Sequence, residues 1–341
     1  MAGTDRPVDR RARPMIVLRP RCRRLRRIVP TLLVATLLAA TALPCGAGAG
    51  AGEAEGEGLH VDEPAPGVYV HRGAQLPLDA PGHDDIANIG FIVGSRCVAV
   101  IDTGGSVRIG LALRAAVRRR TSLPVCYVIN THVHVDHVLG NEAFKDDRPS
   151  FVGHAGLAQA IVRSRPYFLK EYAQDLDVPA SPEQVIGPDR LVATELTLDL
   201  GNRPLTLHAW PTAHTDCDLT VYDRKTSTLW TGDLLFIERL PALDGSLVGW
   251  IAAVDRLAAQ RMKLAIPGHG PPTSSLKEPL ARERSYLEAL LQGVRRELAA
   301  GASLQDAMLH VGGDERSGWL LWDEVHPRNV ARAYEELEWE K

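Results

Sequence analysis

Between Asn130 and Asn141 the chain reads NTHVHVDHVLGN, which places His132, His134, Asp136 and His137 within six positions. In an extended backbone His132 and His134 point to one face while Val133 and Val135 point to the other. Asp136 and His137 are adjacent, so the chain must turn there to aim both inward. The cluster follows the apolar run VCYVI, and a loop at the end of a buried strand is a rigid place to hang ligands. Imidazole and carboxylate donors at this density suit zinc or iron. Three further candidates sit at strand ends or turns. They are His214 in PTAHTDCD, Asp233 in LWTGDLLF beside Gly232, and His269 in AIPGHGPP between glycines and prolines. Without a metal such groups would be buried and unpartnered, which is costly.

The elements that must hold these residues are legible in the surrounding pattern. GVYVHRG, ANIGFIVG and CVAVIDTGG are Val- and Ile-rich segments punctuated by glycine, as strands with turns should be. VRIGLALRAAVRRRT has helical spacing and a basic outer face. A helical stretch is expected near 154–176 and a Pro-rich loop near 179–188. Strands return in TELTLDL, PLTLHAW, LTVYD and STLWTGD, then a helix in WIAAVDRLAAQ and a strand in MKLAIPGHG. Past Pro272 the pattern becomes helical, with one long amphipathic helix ending at Gly301 and shorter helices after it. Alternating strand-rich and helix-rich stretches predict sheets covered by helices, an α/β layered fold.

Residues 1–49 carry ten arginines against Asp5 and Asp9, a local charge of +8, so the overall −3 leaves the remainder near −11. A body that acidic makes nucleic acid an unsuitable partner, because phosphate binding needs clustered cations. The arginine-rich start, the apolar run Thr31–Leu43 and the small residues after it have the layout of a secretory signal peptide. The run is too short for a comfortable membrane span, so no integral span is expected in the mature chain. The expected organisation is a signal peptide over 1–49, a Gly/Ala/Glu spacer over 50–58, the folded domain over 59–272 and a helical extension over 273–341. Periplasmic localisation follows from the leader. Cys97 and Cys126 lie in strand-like runs that would put their thiols side by side if the strands are neighbours, where an exported protein could oxidise them. Two ordinary buried cysteines are the preferred reading, and Cys217 reads as packing.

The ordered set HxHxDH, then His, then Asp, then His, resembles the metallo-β-lactamase superfamily over about residues 60–272. That resemblance implies an αββα sandwich with the site at one edge between the sheets. It also implies His132, His134 and His214 around one metal, Asp136, His137 and His269 around a second, and Asp233 bridging both. Asp233 stands where many zinc-dependent lactamases use cysteine, which points to the hydrolase-type branches. Longer segments, including TGDLLFIERLPALDGSLVGW and HPRNVARAYEELEW, are similar to the quinoprotein relay system zinc metallohydrolases. This second likeness implies a periplasmic setting linked to quinoprotein and cytochrome components.

Two zinc ions, with iron as an alternative, would share a water and bring it towards hydroxide near neutral pH. That bridging hydroxide would attack an ester, thioester or lactam-like bond of a small molecule, with Asp136 or Asp233 moving the proton. Two other readings use the same ligands: an iron-loaded redox enzyme of the sulfur dioxygenase type, and a non-catalytic accessory factor for quinoprotein assembly. Candidate substrate contacts are Arg239, Asp244 and Ser246 in the loop after Asp233, and His326, Arg328 and Asn329 at the start of a C-terminal helix. His60, His71, His83, His154, His208 and His310 are expected to be structural or solvated.

Overall fold

The structure is a computed structural model and describes residues 59–340. The expected signal peptide and the whole of the expected spacer lie outside the described residues. Among the described residues twelve strands form two sheets. The first carries β1 (Asp62–Ala65), β2 (Val68–His71), β3 (Ile89–Val93), β4 (Val98–Ile101), β5 (Val125–Ile129), β6 (Ser150–His154) and β7 (Arg190–Val192), in that spatial order. It is antiparallel from β1 to β4 and parallel from β4 to β7. The second holds β8 (Glu195–Asp199), β9 (Pro204–Ala209), β10 (Leu219–Asp223), β11 (Thr228–Phe236) and β12 (Leu264–His269), with only the β11–β12 pair parallel.

Alternation along β4 shows how the layers form. Ala99 and Ile101 face the second sheet and pack with Leu205, Leu207, Val221 and Ile266. Val98 and Val100 face the other way, against Ile109, Leu113 and Ala116 of α1 (Val107–Arg120). α1 starts where the Ser106 hydroxyl accepts the Ile109 N–H. On the far side, α4 (Leu247–Ala258), α5 (Lys277–Ala299) and α7 (Trp322–Leu337) bury Trp250, Leu287, Leu290 and Val330 with Leu229 and Phe236 of β11. The layering is therefore helix, sheet, sheet, helix: the expected αββα sandwich, with helices past residue 272 packed on its second outer face.

The one-turn helix α2 (Val135–Val138) and α3 (Leu157–Glu171) cover the edge where the ligand candidates collect, and α6 (Leu304–His310) completes the helices. Among the described residues no helix is long and apolar enough to cross a membrane. Cys97 and Cys126 form a disulfide between adjacent strands, with Cα atoms 5.7 Å apart. This corrects the preferred reading of two free buried thiols: the parallel β4–β5 pairing brings them together.

Candidate metal centre

Three structural devices bring the seven candidate side chains to one point. The β5 strand ends at Ile129, and the loop after it carries His132 and His134 before α2 turns Asp136 and His137 back towards them. His214 comes from the β9–β10 loop. That loop is shaped by Asp218, whose carboxylate accepts from Thr215 N at 2.9 Å and Thr215 Oγ1 at 2.6 Å. Burial raises the Asp218 carboxyl to about 7. Asp233 and His269 stand on the neighbouring strands β11 and β12. Their close approach needs a glycine, because a Cβ on Gly268 would meet Asp233 Oδ1 at 1.8 Å.

Each of the five imidazoles has its outward nitrogen engaged. His132 Nδ1 donates to Thr131 Oγ1 at 3.0 Å, a hydroxyl that itself donates to Asp102 at 2.8 Å. His137 Nδ1 donates to Asp102 Oδ2 at 2.8 Å, His214 Nδ1 to Ala242 O at 2.6 Å and His269 Nδ1 to Ile86 O at 2.8 Å. His134 uses its other nitrogen, Nε2, on Asp244 Oδ2 at 3.2 Å. The remaining nitrogens, His134 Nδ1 and four Nε2 atoms, are thus left as acceptors that face inward.

Those inward atoms crowd one another. His134 Nδ1 is 3.1 Å from His132 Nε2 and 3.0 Å from His214 Nε2. With the tautomers above these are lone pairs facing lone pairs, not hydrogen bonds, and two nitrogens bound tetrahedrally at about 2.0 Å from one zinc stand at a similar spacing, roughly 3.3 Å. Asp233 is central: its oxygens lie 3.4 Å from His214 Nε2, 3.3 Å from His137 Nε2 and 3.3 Å from His269 Nε2. His137 Nε2 and Asp233 Oδ1 are buried without any hydrogen-bond partner. The donors form two groups able to hold a metal: His132, His134, His214 and Asp233, and beside them Asp136, His137 and His269. The orphaned atoms and the fixed tautomers fit metal ions at both.

For His132, His214 and Asp233 the electrostatics point the same way. Burial holds the His132 imidazolium well below its ordinary range, helped by His137, and pushes His214 down to about 3. Burial also disfavours charge on His137, but Asp233, Asp136 and Asp102 outweigh it and raise that imidazole well above its ordinary value. Asp233 is desolvated too, yet His269, His137 and His132 hold it well below the usual carboxylate range. Two neutral donors and a firmly ionised carboxylate converge where positive charge is wanted.

A cavity of about 400 Å³ opens over the centre and is lined by Asp136, Asp233, His134 and His269. Of the candidate substrate contacts, Arg239, Asp244, Arg328 and Asn329 also line it. Two candidates stand elsewhere and are corrected. Ser246 caps α4 through Gly249 N and donates to Glu336. His326 is buried between Tyr286 Oη and Val311 O, stacked on Trp322 at 4.0 Å, so it braces helices rather than meeting a ligand. Asn329 spends its amide on Leu243 N and Pro241 O, fixing the cavity wall.

Sequence reasoning missed Asp102. It is 2 % exposed, has φ +52°, and accepts from Thr131 N, Thr131 Oγ1 and His137 Nδ1. Its signal was the sequence IDTGG after a strand, a carboxylate ending an apolar run. Asp244 was expected to meet substrate, and its bond to His134 gives it a ligand-orienting contact that spacing could not reveal.

The sequence profile of the metallo-beta-lactamase superfamily matches residues 83–269, which contain all seven side chains. No curated protein matches the sequence. A metallo-beta-lactamase from Pontibacter korlensis superposes with a TM-score of 0.55 at 21% identity, over 67% of this chain and 99% of that one. A sec-alkylsulfatase from Pseudomonas sp. superposes with a TM-score of 0.60 at 17% identity, over 81% of this chain and 50% of that one. Both likenesses are likenesses of fold.

Proposed function

The chain belongs to the metallo-β-lactamase superfamily and is a metal-dependent hydrolase of that group, and from this premise we propose an exported, dizinc enzyme that cleaves an ester, thioester or lactam-like bond of a small molecule. The observation that carries the reading is the complete set of seven inward-facing donors with Asp233 at its middle. Divalent ions held there supply Lewis acidity and make water nucleophilic near neutral pH.

The chain's own residues do the rest. His132, His134, His214 and Asp233 would hold one ion, and Asp136, His137 and His269 a second beside it. Asp102 and Asp244 keep the imidazoles in the required tautomers. Asp136 faces the cavity, and its carboxylate is placed to take a proton from the attacking water and return it to the leaving group. Tyr167, Phe168, Tyr172 and Phe236 line the cavity and limit the water that reaches the reacting bond.

Export is supported by the leader-like start of the sequence and by the Cys97–Cys126 disulfide, a bond that persists in oxidising compartments. Association with quinoprotein dehydrogenase systems rests on the likeness of the segments around Asp233 and His326 to the quinoprotein relay metallohydrolases. The test is metal content of protein purified without added metal, by elemental mass spectrometry, with a hydrolysis screen over esters, thioesters, β-lactams and alkyl sulfates. Zinc near two per chain with turnover that chelation removes is the expected result. Iron without hydrolysis would replace this reading with a redox one, and two zincs without turnover on any class would replace it with an accessory role.

A further inference from the structure

Strand β11 breaks its regular pairing where it delivers Asp233. Gly232 faces Pro267 on β12 and Phe236 faces His269, so Asp233, Leu234 and Leu235 stand together against Gly268. A bulge of this kind re-aims side chains and releases backbone groups from the ladder. On its other edge β11 is paired with β10 only as far as Trp230. Beyond the bulge Ile237 serves the β12 side, its N–H donating to His269 O at 3.0 Å. The Phe236 N–H turns away from β12, towards the helical layer, where no strand receives it.

Glu283 of α5 receives it instead. Its Oε1 accepts from Phe236 N at 3.1 Å, a contact between residues 47 positions apart. The side chain is 0 % exposed, on the helix face that also buries Leu280, Tyr286 and Leu287. Its Oε2 has no partner. Burial pushes the carboxyl well above the usual carboxylate range, against the opposing pull of the Phe236 N–H, so it stands as the neutral acid. A leucine would suit such a position better, unless the one bond the carboxyl makes matters to the fold around it.

What that bond holds is the underside of the metal centre. The Phe236 ring stacks on the His269 imidazole, with centroids 5.1 Å apart and planes 15° apart, and meets His214 edge-on at 5.7 Å. Those two imidazoles belong to different donor groups, so one ring braces both. Trp250 of α4 closes the arrangement, 5.1 Å from His214 and 6.0 Å from Phe236. The ring sits where the backbone at Phe236 puts it, and Asp233 lies three residues earlier on the same bulge.

We infer that Glu283 is a positioning residue of the metal centre: its carboxyl holds the Phe236 amide, and with it both the bulge that presents Asp233 and the ring that braces His214 and His269. The helical segment past residue 272 is thereby a working part of the site and not only a cover for the sheet. The inference rests on reading the seven donors as a metal centre.

The experiment titrates cobalt(II) into metal-free protein, follows the visible absorption bands of the bound ion, and measures affinity by competition with a chelator. Glu283→Gln keeps a neutral acceptor of the same shape and should match wild type in affinity and spectrum. Glu283→Met keeps the length and removes the acceptor, and should weaken cobalt binding about tenfold and shift the bands. Urea unfolding of the metal-free proteins separates positioning from stability, since a merely structural role lowers the midpoint and leaves the spectrum of the folded fraction unchanged. Glu283→Asp, one methylene shorter, withdraws the acceptor and should weaken binding in the same direction, so it carries the test where Glu283→Met does not fold. Wild-type affinity and spectrum in the folded variants without the acceptor overturn the inference, and so does a loss in Glu283→Gln equal to that in Glu283→Met. In both cases the metal-centre reading stands. A wild-type protein that takes up neither cobalt nor zinc overturns the metal-centre reading and this inference with it.

Discussion

Arg203 and Arg239 are both buried, at 2 % and 6 % exposure, yet the chain treats them in opposite ways. Arg203, between β8 and β9, donates Nη2 to Asp223 at 2.7 Å, Nη1 to Val93 O at 2.8 Å and Nη2 to Pro66 O at 3.0 Å. Its charge is spent on joining the two sheets. Arg239 finds no acceptor at all. The same contrast runs through the regions around them. Near Arg203 the polar atoms close on one another, whereas at the metal centre His137 Nε2, Asp233 Oδ1 and Arg239 Nε are buried and open. Buried polar groups are nearly always paired, so a local group of unpaired ones marks where the chain leaves room for something it does not itself supply.

The largest test of that contrast is Asp233→Asn. Hydrolysis should fall roughly a thousandfold, since the charge at the centre is lost, and metal content should fall with it. The metal-free variant should still unfold cooperatively in denaturant. Arg203→Met should do the reverse. It strands the Asp223 carboxylate and should cost about 3–5 kcal/mol in urea unfolding, while chains that remain folded keep their metal. Comparable stability losses in the two variants would erase the distinction between the regions.

Asp102→Asn sharpens the comparison, because Asp102 is buried like Arg203 but serves the centre. Metal affinity, read by competition with a chelator, should weaken about 10–100-fold. Asp244→Asn acts on His134 through a more exposed carboxylate, 61 % accessible, and should weaken metal affinity less than Asp102→Asn does. The smallest effect belongs to His83 and Asp175, 3.0 Å apart. Burial lowers the His83 imidazole, but the bond and charge of Asp175, with Asp84 nearby, outweigh it and raise it above its ordinary value. The pair therefore stabilises fully below about pH 6.5 and loses its contribution as pH rises through the higher folded value. The stability advantage of wild type over His83→Gln, about 1 kcal/mol at pH 6, should shrink towards pH 8.5.

The parts of the site that were legible in the sequence are those whose geometry is local. HxHxDH states its own arrangement, since two residues along an extended chain share a face and the next turn is a single helical step. Asp233 and His269 announced themselves through neighbouring glycines, and Gly268 shows why, as the backbone there nearly touches the carboxylate. Asp102 reaches His137 across 35 positions and Asp244 reaches His134 across 110, contacts that only the folded sheets create. His326 misled because a histidine at a helix start looks the same in sequence whether it meets a ligand or Tyr286. The strands β1, β6 and β7 were missed for a related reason. DEPA, SFVGH and RLV are too short or too polar to show a period of two, and their neighbours in the sheet hold them. α4 begins at Leu247, ahead of its expected start at Trp250, because the Ser246 hydroxyl accepts from Gly249 N.

Asn329 and Glu336 of α7 tie down the cavity wall, the first at Leu243 and Pro241, the second at Ser246 and Leu247. Every ligand-bearing element precedes α7 in the chain. During synthesis, which delivers a chain from its N-terminal end, the ligand-bearing strands and loops emerge before the helix that pins the wall. Assembly thus has a built-in order: the donors can gather first, and the chamber that selects among substrates takes shape only when α7 docks.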